Sequence, residues 1–183
     1  MVASNLAVSL AQAGQRVLLI DADMRKPKAH EIFRMNPQPG LSNVMVGSNK
    51  ASEAVRKTHL AGLWVLPAGR IPPNPAELLG SQRFSDFLFS LKSHFDWIIL
   101  DTPPVMAVTD ACLVAHRATG VVFVIGAEMT SRHAAKRALD QLEQAKAKFV
   151  GAILNRVDLQ HNGYYYSQYY RREYSTYYEA AAK

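Results

Sequence analysis

The chain has 183 residues, 49% of them hydrophobic, and carries 21 Lys and Arg against 15 Asp and Glu, for a formal net charge of +6. That length and apolar content suit one domain with a sizeable core. A single cysteine excludes an internal disulfide framework, the six histidines are dispersed rather than paired at metal-ligand spacing, and no apolar run has the length of a membrane span or signal core. The basic excess suits an acidic partner, a membrane surface or nucleotide phosphates, and selects none of them.

Taken in chain order, Val2, Leu6, Leu10 and Ala13, with Ala3, Ala7 and Ala11 beside them, predict a helix that Gly14 closes. Val17-Leu18-Leu19-Ile20 reads as a strand buried on both faces. Similar runs follow at Leu63–Leu66, Trp97–Leu100, Val121–Ile125 and Val150–Leu154. Between them, Asn74-Pro75-Ala76-Glu77 has the form of a helix start, with Asn as N-cap, Pro at the first position and Glu at the capping-box position. Phe84, Phe87, Leu88 and Leu91 make one apolar helical stripe, and Ala135, Leu139 and Leu142 another. Cys112 lies in an apolar helical stretch and reads as packing rather than nucleophile. The basic run Arg132, Lys136 and Arg137 reads mainly as a solvated helix face. Strands alternating with helices predict an α/β fold with a parallel sheet covered by helices on both faces, in a domain spanning 1–158.

From 159 to 183 the composition changes. All eight tyrosines of the chain fall here, at Tyr164, Tyr165, Tyr166, Tyr169, Tyr170, Tyr174, Tyr177 and Tyr178. A polar segment without aliphatic residues among its tyrosines buries too little surface to offset its ordering entropy, so a flexible tail is expected. Its phenol hydroxyls suit phosphorylation beside Arg171 and Arg172. Association through polar-aromatic stacking, including stacking on nucleic acid, is the bland reading of the same residues.

Ligands of parallel sheets sit beyond the carboxyl ends of the strands. Two apolar strands here run into acids: Val-Leu-Leu-Ile-Asp21-Ala-Asp23-Met-Arg25-Lys26-Pro and Trp-Ile-Ile-Leu-Asp101-Thr-Pro-Pro. A single strand-end Asp commonly does no more than cap a turn. Two such strands, one with an Asp-x-Asp pair, point to a nucleotide site with hydrated Mg²⁺, which takes one or two carboxylates and keeps several waters.

These two segments resemble the second Walker A-type motif and the Walker B strand of bacterial tyrosine kinases. Gly69-Arg-Ile-Pro-Pro-Asn-Pro-Ala-Glu-Leu-Leu79, Val108-Thr-Asp-Ala111, Gly151-Ala-Ile-Leu-Asn-Arg156 and the tyrosine cluster match the same family in order. The Asp motifs alone are shared with partition-type and septum-placement ATPases. The resemblance implies a P-loop NTPase-like autokinase that moves the γ-phosphate of ATP to its own tail and regulates capsule or exopolysaccharide synthesis. It implies that Asp21 and Asp23 position Mg²⁺ and assist deprotonation of the phenol, that Asp101 holds the metal through water and that Asn155 contacts adenine, a residue that otherwise reads as a strand-end turn. Arg25 and Lys26, closest in the chain to the expected phosphates, are the candidates for catalytic charge. The implied partners are a membrane chain-length regulator, fused or separate, further copies assembled in a ring, and a tyrosine phosphatase, with no nucleic acid. The implied location is the cytoplasmic face of the plasma membrane. The family's Gly-rich loop ending in Gly-Lys-Ser/Thr does not occur in these residues, nor does the strand before it. The expectation is a truncated kinase domain, inactive as given, whose sheet has lost an interior strand. The competing expectations are a non-catalytic partner whose tail is only a substrate, and a partition-type ATPase.

Overall fold

The computed structural model describes residues 1–158, so the eight tyrosines lie outside the described residues. Along the chain run α1 (Val2–Gln12), β1 (Val17–Asp21), α2 (Ala29–Ile32), α3 (Leu41–Val46), α4 (Ala51–Ala54), β2 (Arg56–Lys57), β3 (Leu63–Leu66), α5 (Pro75–Gly80), α6 (Gln82–Leu91), β4 (Trp97–Asp101), α7 (Asp110–Ala115), β5 (Val121–Gly126), α8 (Arg132–Gln144) and β6 (Phe149–Asn155). The α/β architecture with a parallel-rich sheet matches the sequence pattern.

β1 is the keystone. All five of its residues are buried, and it lies between β3 and β4, parallel to both. Its two faces feed different clusters. Leu18 and Ile20 pack with Phe84, Phe87, Leu88 and Leu91, the stripe of α6, while Val17 and Leu19 pack with Ala7 and Ala11 of α1. Burial on both faces is why the strand reads as an unbroken apolar run. Gly14 takes a φ of +83°, the left-handed conformation that lets the chain leave α1 and enter β1 within a few residues. Ser81 caps α6, its hydroxyl accepting from the Phe84 N–H.

Three details depart from the expectations. The sheet carries an antiparallel edge, the two-residue β2, too short to show as a periodicity. Asn74 stands at the N-cap of α5 as expected, but its side chain accepts from no helix N–H; its amide donates instead to the Glu77 carboxylate one turn on. Not every apolar run is buried on both faces. Trp97 is half exposed, and in β6 Phe149, Val150, Ile153 and Leu154 are all exposed.

The last departure has a topological cause. Among the described residues the strands form two sheets, β2-β3-β1-β4 and the parallel pair β5-β6, with no ladder joining β4 to β5. One face of β5 packs through Phe123 against Ala138 and Leu142 of α8, with Ala135 and Leu139 alongside. A two-stranded sheet with helices on one face leaves Val122 and Val124 of β5 and most of β6 in contact with solvent.

Candidate active site

Parallel pairing in register puts the strand-end acids side by side. Asp21 and Asp101 are direct partners across β1 and β4, and the Ala22 N–H continues the ladder by donating to the Asp101 carbonyl at 2.8 Å. Asp23 follows on the loop that leaves β1, a loop anchored in the core by Met24, which is fully buried.

The three carboxylates have different surroundings. Asp21 is 1% exposed, and its oxygens accept three backbone N–H groups. Oδ1 accepts from Asp23 at 3.2 Å, and Oδ2 from Lys28 and Ala29 at 3.0 and 2.9 Å. Burial pushes its pKa up to about 6, with the N–H bonds of Ala29 and Lys28 pulling the other way and the charge of Asp101 adding to the rise. Asp21 thus works as an anchor that folds the loop back onto the sheet and starts α2.

Asp23 is half-buried. Its Oδ1 accepts from the N–H groups of Arg25 and Lys26 at 3.1 and 2.9 Å, and no donor reaches Oδ2 among the described residues. The Asp101 carboxylate likewise accepts no hydrogen bond among the described residues. Burial holds it above the ordinary carboxylate range; the chain's terminal ammonium pulls it down, and the negative charge of Asp23 raises it further. Two neighbouring carboxylates, one with an oxygen and one with a whole carboxylate left open, fit a hydrated divalent cation, which would relieve the repulsion that Asp101 meets from Asp23 and bind through oxygen. No group of three or more His, Cys, Asp or Glu converges as a metal site among the described residues. A Mg²⁺ site of one or two carboxylates plus water does not require one.

Other residues singled out from the sequence fall elsewhere. Arg25 is held by Asp110 in a two-point ion pair, Nε to Oδ2 at 2.9 Å and Nη2 to Oδ1 at 3.1 Å. Arg25, expected with Lys26 to supply catalytic charge, thus faces a carboxylate, and Lys26 is exposed. Asn155 ends β6, its carbonyl accepting from the Ala127 N–H at 2.8 Å. It sits on the sheet that does not carry the aspartates. Cys112 is half-buried on α7, and burial raises its thiol, which suits packing rather than nucleophilic attack. Arg132, Lys136 and Arg137 are exposed on α8.

The sequence reading assigned no role to Asp110, although it stands in the Val-Thr-Asp-Ala segment. Its only local signal is an acid at a helix start, which many helices have for capping alone. The segment Gly69-Arg-Ile-Pro-Pro does have a structural role. Ser42 Oγ donates to the Arg70 carbonyl at 2.6 Å, and a Cβ at Gly69, whose φ is +86°, would come within 2.6 Å of Asn43 Oδ1 and Ser42 Oγ. Only glycine lets the turn close this tightly on α3.

A parallel-rich sheet flanked by helices, with acids at neighbouring strand ends, is of the P-loop NTPase-like α/β class, and the family model described as an AAA domain matches residues 1–155. Within that class the chain belongs to the bacterial tyrosine-protein kinase family. It is 40% identical over 169 residues to the putative tyrosine-protein kinase CapB of Staphylococcus aureus, covering 92% of this chain and 74% of that relative. It is 35% identical over 175 residues to the tyrosine-protein kinase wzc of Salmonella typhimurium, covering 96% of this chain and 24% of wzc. The crystal structure of the chimerical protein CapA2B2 superimposes with a TM-score of 0.82 at 39% identity, over 85% of this chain and 69% of that one. The chain thus spans about three quarters of CapB and about a quarter of wzc.

Proposed function

We propose that this chain carries the phosphoryl-transfer centre of a protein-tyrosine kinase that moves the γ-phosphate of ATP to tyrosines in the 164–178 cluster. The observation that carries the reading is the in-register pairing of Asp21 with Asp101, with Asp23 on the next loop. Asp23 and Asp101 would hold the metal, the latter through water, and Asp21 holds the loop that presents Asp23. Mg²⁺, when bound, supplies charge neutralisation for the β- and γ-phosphates. In the reaction the phenol oxygen forms a bond to the γ-phosphorus, the bond from that phosphorus to the β-bridging oxygen breaks, and ADP leaves. The phenol proton passes to a nearby carboxylate, for which Asp23 Oδ2 is the open oxygen. Asn155 at the end of β6 is the adenine contact of this scheme, and Lys26 its exposed cation.

The relatives named as tyrosine-protein kinases support this reading over a partition-type ATPase. By the same kinship the proposed setting is capsule or exopolysaccharide synthesis. There a membrane chain-length regulator, further copies of the chain and a tyrosine phosphatase are the partners, at the inner face of the plasma membrane. No helix of the described residues is long and apolar enough to cross a membrane, so attachment would come through a partner or another segment.

The test is phosphopeptide mass spectrometry of the full-length protein purified from its host, alongside Asp23→Asn and Asp101→Asn. Phosphotyrosine at several of positions 164–178, lost in both variants, is expected. Phosphate confined to Ser or Thr would end the kinase reading.

A further inference from the structure

Asp110 is a buried carboxylate for which the transfer scheme above has no use. Its side chain is 0% exposed, it opens α7, and both of its oxygens face the Arg25 guanidinium at 2.9 and 3.1 Å. The partners are 85 residues apart in the chain. An enclosed carboxylate is tolerated only when well paired, and a planar two-point contact with guanidinium fixes angle as well as distance. This ion pair is therefore a rigid tie between two otherwise separate segments.

What it ties together is the site. Arg25 stands two residues after Asp23, and the Arg25 N–H is one of the two that hold Asp23 Oδ1. Asp110 stands nine residues after Asp101, at the end of the segment that leaves β4 through Pro103 and Pro104. The pair thus bridges the loop that carries Asp23 and the segment that begins at Asp101. Backbone pairing of β1 with β4 fixes Asp21 against Asp101 but stops at Ala22, before Asp23 is reached. Beyond that point the Arg25–Asp110 pair is the hydrogen-bonded side-chain tie across the opening among the described residues, beside the apolar cluster that Met24 shares with Val114 of α7.

We propose that Arg25 and Asp110 form a positioning clamp that sets the spacing between the Asp23 and Asp101 carboxylates, and with it the affinity of the site for a divalent cation. Neither residue touches the cation; both act through Asp23. The clamp rests on the proposal that Asp23 and Asp101 are the metal pair, and the experiment separates the two ideas.

The full chain is titrated with Mn²⁺, and free Mn²⁺ is followed by its electron paramagnetic resonance signal, for wild type, Asp23→Asn, Asp110→Asn, Arg25→Lys and Arg25→Gln/Asp110→Asn. Melting temperatures are recorded on the same samples. Asp110→Asn keeps the shape of the side chain but cannot accept both guanidinium donors. Arg25→Lys keeps the charge but cannot span both oxygens. Outer partners of metal ligands typically alter affinity by about 10- to 100-fold, so each single variant is expected to weaken Mn²⁺ binding by about tenfold. The double variant should lose no more than the singles, because the two residues act as one unit. The double variant also carries no unpaired buried charge, which keeps the comparison usable if a single variant folds poorly. Weaker binding in Asp23→Asn with unchanged binding in Asp110→Asn and Arg25→Lys overturns the clamp and leaves the metal pair standing. Unchanged binding in Asp23→Asn overturns the metal pair and the clamp together. A fall in melting temperature with unaltered Mn²⁺ affinity reduces the ion pair to a structural contact and overturns the proposal.

Discussion

Asp21→Asn offers a test in which stability and charge can be separated. In the folded protein the Asp21 carboxylate is 1% exposed and its pKa rises from 3.8 to about 6, chiefly through burial. At about 1.4 kcal/mol per pH unit, keeping it ionised at neutral pH costs about 3 kcal/mol. Asparagine removes that cost. It also turns one acceptor into a donor. The least harmful orientation keeps the oxygen on the Lys28 and Ala29 N–H groups and leaves the Asp23 N–H, 3.2 Å away, without its acceptor. An unmade hydrogen bond there costs about 1–2 kcal/mol. The variant should therefore be more stable than wild type by about 1–2 kcal/mol at pH 8, a rise of about 2–8 °C in melting temperature for a chain of this size. The sign follows from the raised pKa of an acid: its stabilising contribution is fully present below pH 3.8 and is lost as pH rises through about 6. The advantage of the variant should accordingly open between pH 4 and pH 6, stay level above pH 7, and reverse near pH 4. Thermal melts from pH 4 to 8 in chelator, which removes any bound cation from the neighbouring carboxylates, measure this. A variant less stable than wild type at pH 8, or a difference that does not move with pH, would show that the three N–H bonds outweigh burial and would refute the reasoning. Because the anchor keeps its shape, phosphotyrosine formation should also suffer less in Asp21→Asn than in Asp23→Asn or Asp101→Asn.

Phe84 is fully buried among the β1 side chains, so Phe84→Ala should cost about 3–5 kcal/mol, read as a lower urea midpoint with little change in slope. The Arg16–Asp96 pair, closed at 2.6 Å and at both oxygens, lowers Asp96 to about 2, so its contribution should be present above pH 4 and lost as pH falls through about 2. Asp96→Asn should remove that acid-dependent step from a pH series of melts. ATP-Mg²⁺ should bind the 183-residue chain only weakly in calorimetry, because no Gly-Lys-Ser/Thr occurs in it to grip the phosphates; micromolar affinity would mean that another segment does so. Phosphorylation of three or more of Tyr164–Tyr178 should loosen self-association, as measured by light scattering before and after phosphatase treatment. Each phosphate brings about −1.5 to −2 charges toward a site that already holds Asp21, Asp23 and Asp101. Tighter assembly would instead make Arg132, Lys136 and Arg137 a phosphotyrosine receptor.

What the sequence alone determined is what local pattern can carry. The run Val17–Ile20 is apolar because both of its faces are buried, and the stripe of Phe84, Phe87, Leu88 and Leu91 repeats because one helix face meets the sheet. The acids at Asp21 and Asp101 stand out because they interrupt such runs at their carboxyl ends. The short helices α2 to α4 and the two-residue β2 were not legible, since four to six residues, or two, are too few to establish a period. Nor was the exposure of β6: an apolar run looks the same whether or not another layer covers it. The tertiary structure alone decided which partners each carboxylate has. Asp21, Asp23 and Asp110 are the same residue type on neighbouring segments. Yet backbone N–H groups claim Asp21, an arginine 85 positions away claims Asp110, and Asp23 keeps an open oxygen. Those differences arise from burial and from partners distant in the chain, which pairing and packing bring together and which no local pattern records.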